Sequence, residues 1–159
     1  MKSLGIDIGS SSVKVSLLDI ATGECVASAT NPAQEMPIDA LRSGWAEQDP
    51  DMWWHYVCEG IRQVGAKSPL RDVVSIGITY QMHGLVCLDA AGHPLRKSII
   101  WCDQRTAAEV EEMNRVVGRE KLMEITANPA LTGWTAAKIL WVRNNEPDVY
   151  EKCRHILLP

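Results

Sequence analysis

The first thirty residues constrain the fold most, because they contain strand patterns joined by a glycine turn. Residues 13–18 alternate between apolar and polar side chains, as in a strand with one buried face. The turn signal at 19–23 ends in Gly23, which supplies the positive φ that a tight hairpin requires. Strands are also predicted at 4–7 and 25–30. The chain is therefore expected to open with a three-stranded antiparallel meander.

Helix and strand patterns alternate along the rest of the chain. Helices are predicted to begin at Pro50 and after Thr106, and to cover residues 134–143. The spacing of Thr106 and Glu109 has the form of a capping box. Strand patterns lie at residues 73–79, 85–88, 99–101 and 155–158. The first of these is almost wholly apolar, which predicts a central strand covered on both faces. An α/β fold with a mixed sheet is therefore expected.

Composition and charge argue against several functional classes. The chain has 159 residues, of which 46% are hydrophobic, enough for one domain with a core. Its net charge of −4, without a basic stripe, argues against nucleic-acid binding. No apolar run approaches the roughly 20 residues that span a bilayer, and no signal peptide is recognised. The five cysteines have no metal or redox spacing. A cytoplasmic protein with reduced, buried thiols and no membrane partner is expected.

The turn between the first two predicted strands has residues suited to phosphate. Residues 7–14 read Asp-Ile-Gly-Ser-Ser-Ser-Val-Lys, and small residues let phosphate oxygens approach backbone N–H groups closely. Asp7 could hold a magnesium ion or its water, and Lys14 would add positive charge. The alternative is an ordinary hairpin turn with a surface lysine. The chain contains no Walker-loop pattern.

A second candidate segment follows the apolar strand at 73–79. Gln81, Met82 and His83 lie at the carboxyl end of that strand, where open α/β sheets place their ligands. An imidazole can hydrogen-bond sugar hydroxyls, and a methionine can pack against a carbon chain. A purely structural histidine remains the alternative.

A third candidate segment follows the short strand at 99–101. The indole of Trp101 could form an apolar wall against the C–H face of a sugar. Asp103 and Arg105 are expected to pair with each other and to brace the loop rather than to contact a ligand directly.

Together these motifs make the chain resemble the FGGY family of carbohydrate kinases. The resemblance covers essentially the whole chain and is carried by residues 5–14, 45–50, 81–84, 101–105 and 138–142. It implies an actin- and hexokinase-like (ribonuclease H-like) fold, in which residues 1–159 are an incomplete N-terminal domain and a C-terminal domain is missing. The final predicted strand ends at Pro159 without neighbours, so the piece alone is expected to be poorly stable.

The resemblance also implies an activity. The expected reaction is ATP-dependent phosphorylation of a ketopentose, D-xylulose to D-xylulose 5-phosphate, with ATP and Mg²⁺ as cofactors. Gluconate, ribulose or a sugar alcohol remain open as substrates, as does a non-catalytic sugar-binding relative. The general base is not found in this chain, which is therefore expected to be inactive alone. Family relatives are commonly dimers, so a homodimer is one expected assembly.

The resemblance gives the candidate residues specific roles. It places Asp7 beside magnesium and the transferred phosphoryl group, and the sugar against Met82, His83 and Trp101. Gln81, Asp103 and Arg105 would hold these sugar-binding residues in place without contacting the sugar themselves. The residues that match the first phosphate loop are Gly9, Ser10, Ser11 and Lys14.

Overall fold

The computed structural model describes all 159 residues, from Met1 to Pro159. In chain order its elements are β1 (Lys2–Ile8), β2 (Val13–Asp19), β3 (Cys25–Asn31), β4 (Glu47–Gln48), α1 (Pro50–Lys67), β5 (Val73–Tyr80), β6 (Val86–Leu88), β7 (Ser98–Ile99), α2 (Ala107–Val116), α3 (Arg119–Thr126), α4 (Thr135–Asn145), α5 (Pro147–Lys152) and β8 (His155–Leu157). They form two structural units. The first unit comprises Met1–Pro37 and Pro50–Gln81, and the second comprises Ile38–Asp49 and Met82–Pro159.

The first unit contains a four-stranded mixed sheet in the order β3-β2-β1-β5. β2 pairs antiparallel with both β1 and β3, which confirms the predicted meander, and β5 joins β1 in parallel. The predicted turn is also confirmed, because Gly23 has a φ of 74°. The carboxylate of Asp19 accepts hydrogen bonds from the backbone N–H groups of Ala21 and Thr22, and these bonds lower the pKa of Asp19.

Helix α1 packs against β2 and β3 and encloses one face of the sheet. The apolar residues of β2 are fully buried there: Val13, Val15 and Leu17. Gly60 makes this close approach possible. A Cβ atom at that position would lie 2.6 Å from Cγ2 of Val15.

The prediction that residues 73–79 form a central strand covered on both faces is wrong. β5 lies at the edge of the sheet, and Val74, Ile76 and Ile78 are 61–62% exposed. The apolar run correctly indicates a strand, but α1 lies over β2 and β3 and leaves β5 uncovered. Periodicity therefore identified the element without giving its place in the sheet.

The second unit contains two short antiparallel ladders, β4 with β7 and β6 with β8. Its core consists of Leu85, Cys87, Ile99, Trp141 and Val142. The expectation that the final strand lacks neighbours is wrong, because β8 pairs with β6. All five cysteines are free, as predicted, although only Cys87 is buried. Burial raises the pKa of the Cys87 thiol to about 12.

Helix α2 begins where the sequence predicts, but not by the predicted cap. The fully buried Thr106 hydroxyl donates to the carbonyl oxygen of Thr132 at 2.8 Å, and caps no backbone N–H group of α2. Glu109 is 5% exposed and does not reach back to the helix start. The capping-box prediction is therefore wrong, because a tertiary hydrogen bond takes the hydroxyl. None of the five helices is long and apolar enough to cross a membrane.

Candidate functional site

In the first unit, two oppositely charged candidate residues lie side by side on the sheet. Asp7 on β1 is the register partner of Lys14 on β2, and Thr79 on β5 is the partner of Asp7 on its other side. Directly paired residues project from the same face of a sheet. By the same alternation, this is the face opposite the one on which α1 packs. Asp7 and Lys14 are both exposed to solvent.

These side chains line an open depression of about 340 Å³. The lining residues are Gly5, Ile6, Asp7, Lys14, Ser16, Gly77, Ile78 and Thr79. Gly5 and Gly77 are register partners, so no side chain fills the floor between β1 and β5. The depression therefore presents a carboxylate, an ammonium group and two hydroxyl groups around an empty floor. The hydroxyl groups of Ser16 and Thr79 were missed in the sequence. Alternation places Ser16 on the same face of β2 as Lys14, but the place of Thr79 beside Asp7 follows only from the pairing of β5 with β1.

The predicted phosphate turn is a tight turn held from both sides. The N–H group of Gly9 donates to the carbonyl oxygen of Ser12 at 3.0 Å. The carbonyl oxygen of Ser11 accepts a hydrogen bond of 2.8 Å from the N–H group of Met36. Ser10 and Ser11 lie at the tip of this turn. Phosphate binding there stays a prediction.

The donor set fits a magnesium ion that arrives with a nucleotide. No group of three or more His, Cys, Asp or Glu side chains is placed to hold a metal. Mg²⁺ is commonly bound by one or two carboxylates together with substrate phosphates, because it keeps most of its own water. One exposed carboxylate, Asp7, beside the hydroxyl groups of Ser16 and Thr79 matches that pattern.

In the second unit, Met82 and His83, two of the residues predicted to face a sugar, lie in a turn with unusual backbone geometry. His83 has a φ of 62°, in the left-handed region that few non-glycine residues adopt. Its imidazole stacks on the indole of Trp134, with ring centroids 5.2 Å apart and planes inclined by 14°. The neighbouring side chain of Met82 is 63% exposed.

A buried lysine holds this turn from below. Lys138 on α4 is 0% exposed, and its ammonium group donates to the carbonyl oxygens of His83 and Gly133, each at 2.6 Å. Burial lowers the pKa of Lys138 to about 8, and the nearby negative charge of Asp103 opposes this shift in part. Sequence reasoning gave Lys138 no role. The available signal was its spacing, since it lies between Ala137 and Trp141 on the buried face of α4.

Trp101 lies in a loop that packs against the same segment. Its side chain is 49% exposed, which leaves the indole accessible. A Cβ atom at Gly133 would lie only 2.6 Å from the carbonyl oxygen of Trp101, so glycine is required for this contact. The backbone that Lys138 binds therefore also supports the Trp101 loop.

The predicted pair of Asp103 and Arg105 is confirmed. The carboxylate of Asp103 is fully buried and accepts hydrogen bonds from Nε and Nη2 of Arg105 at 3.0 and 2.8 Å. It also accepts a hydrogen bond of 2.6 Å from the backbone N–H group of Ala46. The third guanidinium nitrogen, Nη1, donates to Glu47 at 2.7 Å. The pair thus joins the loop after β7 to the segment before β4.

This pair is part of a larger buried network that the sequence did not reveal. Glu47 is 7% exposed and also accepts a hydrogen bond of 2.5 Å from Arg96. The guanidinium carbon of Arg105 lies 3.8 Å from the ring centroid of Trp45 and 4.8 Å from that of Trp141. These contacts pair the charges and place an aromatic face over the cation. They brace the candidate loop without exposing Asp103 or Arg105 to a ligand.

The structure thus defines a mixed-sheet unit with an open depression that bears Asp7 and Lys14, and a second unit with a turn whose imidazole stacks on an indole. The N-terminal domain of the FGGY family of carbohydrate kinases matches residues 2–159. The chain belongs to this family.

Individual relatives agree with that assignment. The chain is 38% identical over 156 residues to the xylulose kinase of Escherichia coli strain K12, covering 98% of this chain and 31% of the relative. It superimposes with a TM-score of 0.91 and 35% identity on the xyloylose kinase of Brucella ovis, covering 100% of this chain and 32% of that one. For the gluconate kinase of Lactobacillus acidophilus the TM-score is 0.87, with 26% identity and coverage of 98% and 31%. The actin- and hexokinase-like fold class is therefore confirmed.

The chain spans about a third of the length of these relatives. The structure brings Asp7 and Lys14 together in the first unit, and it connects the backbones of His83, Gly133 and Trp101 in the second. The roles predicted for the site residues in catalysis and binding stay predictions.

Proposed function

We propose that the protein to which this chain belongs transfers the γ-phosphoryl group of ATP to a terminal hydroxyl of D-xylulose, giving D-xylulose 5-phosphate. The observation that carries the proposal is the pairing of Asp7 with Lys14 across β1 and β2, at an open depression beside a tight Gly-Ser turn. The similarity to xylulose kinases supports the choice of sugar.

In this proposal the first unit holds the phosphates. The N–H groups and hydroxyls of Gly9, Ser10 and Ser11 would donate hydrogen bonds to phosphate oxygens, and Lys14 would neutralise their charge. Asp7 would orient a magnesium ion or its water. The ion would screen the negative charge that develops between the β- and γ-phosphates. These residues act by positioning and charge compensation rather than by covalent chemistry.

The second unit would hold the sugar. The ring of His83 would hydrogen-bond a hydroxyl of the sugar, while Met82 and Trp101 would contact its carbon chain. Gln81, Asp103 and Arg105 would keep these segments in place. The buried position of the Asp103–Arg105 pair supports a role in holding the loop rather than in contacting the sugar.

Residues 1–159 are, in this proposal, part of the N-terminal domain of a longer cytoplasmic enzyme. By the resemblance to the family, the general base that takes the proton from the sugar hydroxyl would be supplied by a part of the protein outside residues 1–159. The chain alone is expected to lack kinase activity, and the intact protein could form a homodimer.

The proposal is tested with the intact protein and a coupled assay for ADP release, using D-xylulose, D-ribulose, gluconate, glycerol and a sugar alcohol. D-Xylulose is expected to give the highest kcat/KM. The likeness to a gluconate kinase makes gluconate the main competitor, and a clear preference for it would overturn the proposed substrate.

A variant tests the role of His83 directly. Loss of one hydrogen bond to the sugar, worth about 1.4 kcal/mol at the upper end of the usual range, predicts that His83→Ala raises the KM for D-xylulose about tenfold and leaves the KM for ATP nearly unchanged. His93→Ala is the matched control, because that histidine lies in the same unit with its side chain 79% exposed. An unchanged KM for the sugar in His83→Ala would reject the assignment.

A further inference from the structure

Lys138 is a buried charged group that the proposed reaction does not use. Its side chain is 0% exposed, and its ammonium group donates to two backbone carbonyl oxygens in different loops, those of His83 and Gly133. Both bonds are 2.6 Å long. Charge-assisted hydrogen bonds of this length are stronger than neutral ones and hold both carbonyl groups in fixed directions.

The two carbonyl groups flank the candidate sugar-binding surface. His83 is one member of the stacked pair, and Gly133 directly precedes Trp134, the other member. One ammonium group therefore holds the backbone at both rings of the stack. Gly133 also packs against the carbonyl oxygen of Trp101, so the same point supports a third candidate residue.

Stability alone does not account for a lysine at this position. A buried ammonium group loses its hydration, and apolar residues of similar volume commonly replace buried charges at no loss of stability. In addition, His83 adopts a left-handed backbone conformation with a φ of 62°. Such conformations persist where surrounding contacts determine them, and they are concentrated at functional sites. The hydrogen bond from Lys138 to the His83 carbonyl oxygen is a contact of that kind.

We propose that Lys138 is a positioning residue for sugar binding, which fixes the His83–Trp134 stack by holding the carbonyl oxygens of His83 and Gly133. This inference rests on the proposed sugar site. Lys138 itself would not touch the sugar, because its ammonium group is enclosed by protein. Its removal should therefore impair sugar binding through the orientation of the His83 ring.

The first experiment observes the stack without any sugar. In the intact protein labelled with ¹³C-histidine, the signal of the His83 Cε1–H group is identified by its loss in His83→Gln. It is expected to lie upfield, because the ring current of the stacked indole shields it. Lys138→Met should move this signal to the position of the exposed His93. Lys121→Met is the matched control, because Lys121 lies in the same unit in an exposed pair with Glu124, and it should leave the signal in place.

The second experiment measures sugar kinetics. Lys138→Met should raise the KM for the sugar about tenfold while kcat changes less than about twofold, since it removes binding that the ground state and transition state share. If the His83 signal moves but neither Lys138→Met nor His83→Ala changes the KM, the proposed sugar site fails. If His83→Ala raises the KM while Lys138→Met changes neither the signal nor the KM, the role of Lys138 is overturned.

A second variant covers the case in which Lys138→Met does not fold, as judged by circular dichroism. Lys138→Arg keeps the charge, but a planar guanidinium cannot reproduce the geometry of a compact ammonium group. It is expected to remove part of the upfield shift of His83 and to raise the KM. A signal and a KM that both equal those of the parent protein would overturn the proposal.

Discussion

The buried pair of Asp103 and Arg105 allows a quantitative prediction of stability. The side chains are 0% and 1% exposed. The Asp103 carboxylate accepts hydrogen bonds from Nε and Nη2 of Arg105 and from the backbone N–H group of Ala46. Breaking a buried pair by removing one partner typically costs about 3–5 kcal/mol. Arg105 would retain its bond to Glu47, so we expect Asp103→Ala to lower the free energy of unfolding by about 3 kcal/mol.

A double-mutant cycle isolates the interaction itself. Arg105→Met should also cost about 3 kcal/mol, because it leaves the buried Asp103 carboxylate with backbone donors alone. The loss of the contact between Arg105 and Trp45 occurs in both arms of the cycle and therefore cancels. The double variant should lose about 2 kcal/mol less than the sum of the single variants.

The assay is urea denaturation followed by tryptophan fluorescence, with Trp45 and Trp141 reporting on this unit. The matched control is the Lys121–Glu124 pair in the same unit, whose side chains are 56% and 70% exposed and whose coupling should be near zero. A coupling for Asp103 and Arg105 below about 0.5 kcal/mol would refute the view that this pair braces the loop.

Two further predictions concern a buried charge and a close contact. Lys138 has a pKa of about 8, against 10.5 for an ordinary lysine, so between these pH values the unfolded chain keeps a proton that the folded chain has lost. Raising the pH from 8 to 10 should therefore stabilise the parent protein relative to Lys138→Met by about 1 kcal/mol per pH unit. The charges of Asp103, Cys102 and Arg105 also affect the Lys138 ammonium group. The measurement is therefore the difference in free energy of unfolding between the parent protein and Lys138→Met, determined by denaturation at each pH. A difference that does not change with pH would contradict a buried ammonium group. On α1, Gly60→Ala would place a Cβ atom 2.6 Å from Cγ2 of Val15 and should cost about 1–3 kcal/mol in the same assay. Gly65→Ala is its control, because the nearest atom is the flexible end of Leu70 at 3.1 Å. Equal costs for the two variants would show that the approach of α1 to β2 is not as tight as described.

Local patterns predicted the elements that local interactions determine. The alternation in residues 13–18 and the turn at Gly23 specify the hairpin, since side-chain period and turn geometry together fix its register. Thr106 is a residue for which the local pattern predicted the element but not the side-chain contact. Its spacing to Glu109 correctly marked the start of α2, but a hydroxyl that can reach Thr132 is not available to cap a helix.

Long-range contacts account for most of what the sequence did not reveal. The apolar character of β5 indicated burial, but coverage depends on where α1 packs, which no local pattern encodes. Glu47 binds Arg105 across 58 positions of sequence, and Lys138 binds the carbonyl oxygen of His83 across 55. Asp7, Lys14 and His83 could be selected from sequence because their residue types suit magnesium, phosphate and sugar, respectively. Lys138 could not, because its contacts are to backbone groups of distant loops.

The central claim is that the sheet face bearing Asp7 and Lys14, with the turn from Gly9 to Ser12, holds the terminal phosphates of ATP. A crystal structure of the intact protein with magnesium, a non-hydrolysable ATP analogue and D-xylulose tests it most directly. The account predicts phosphate oxygens within hydrogen-bond distance of the Gly9–Ser12 turn. It also predicts a magnesium ion that Asp7 binds directly or through a water molecule of the ion. Phosphates bound elsewhere, with Asp7 and Lys14 facing only solvent, would contradict it.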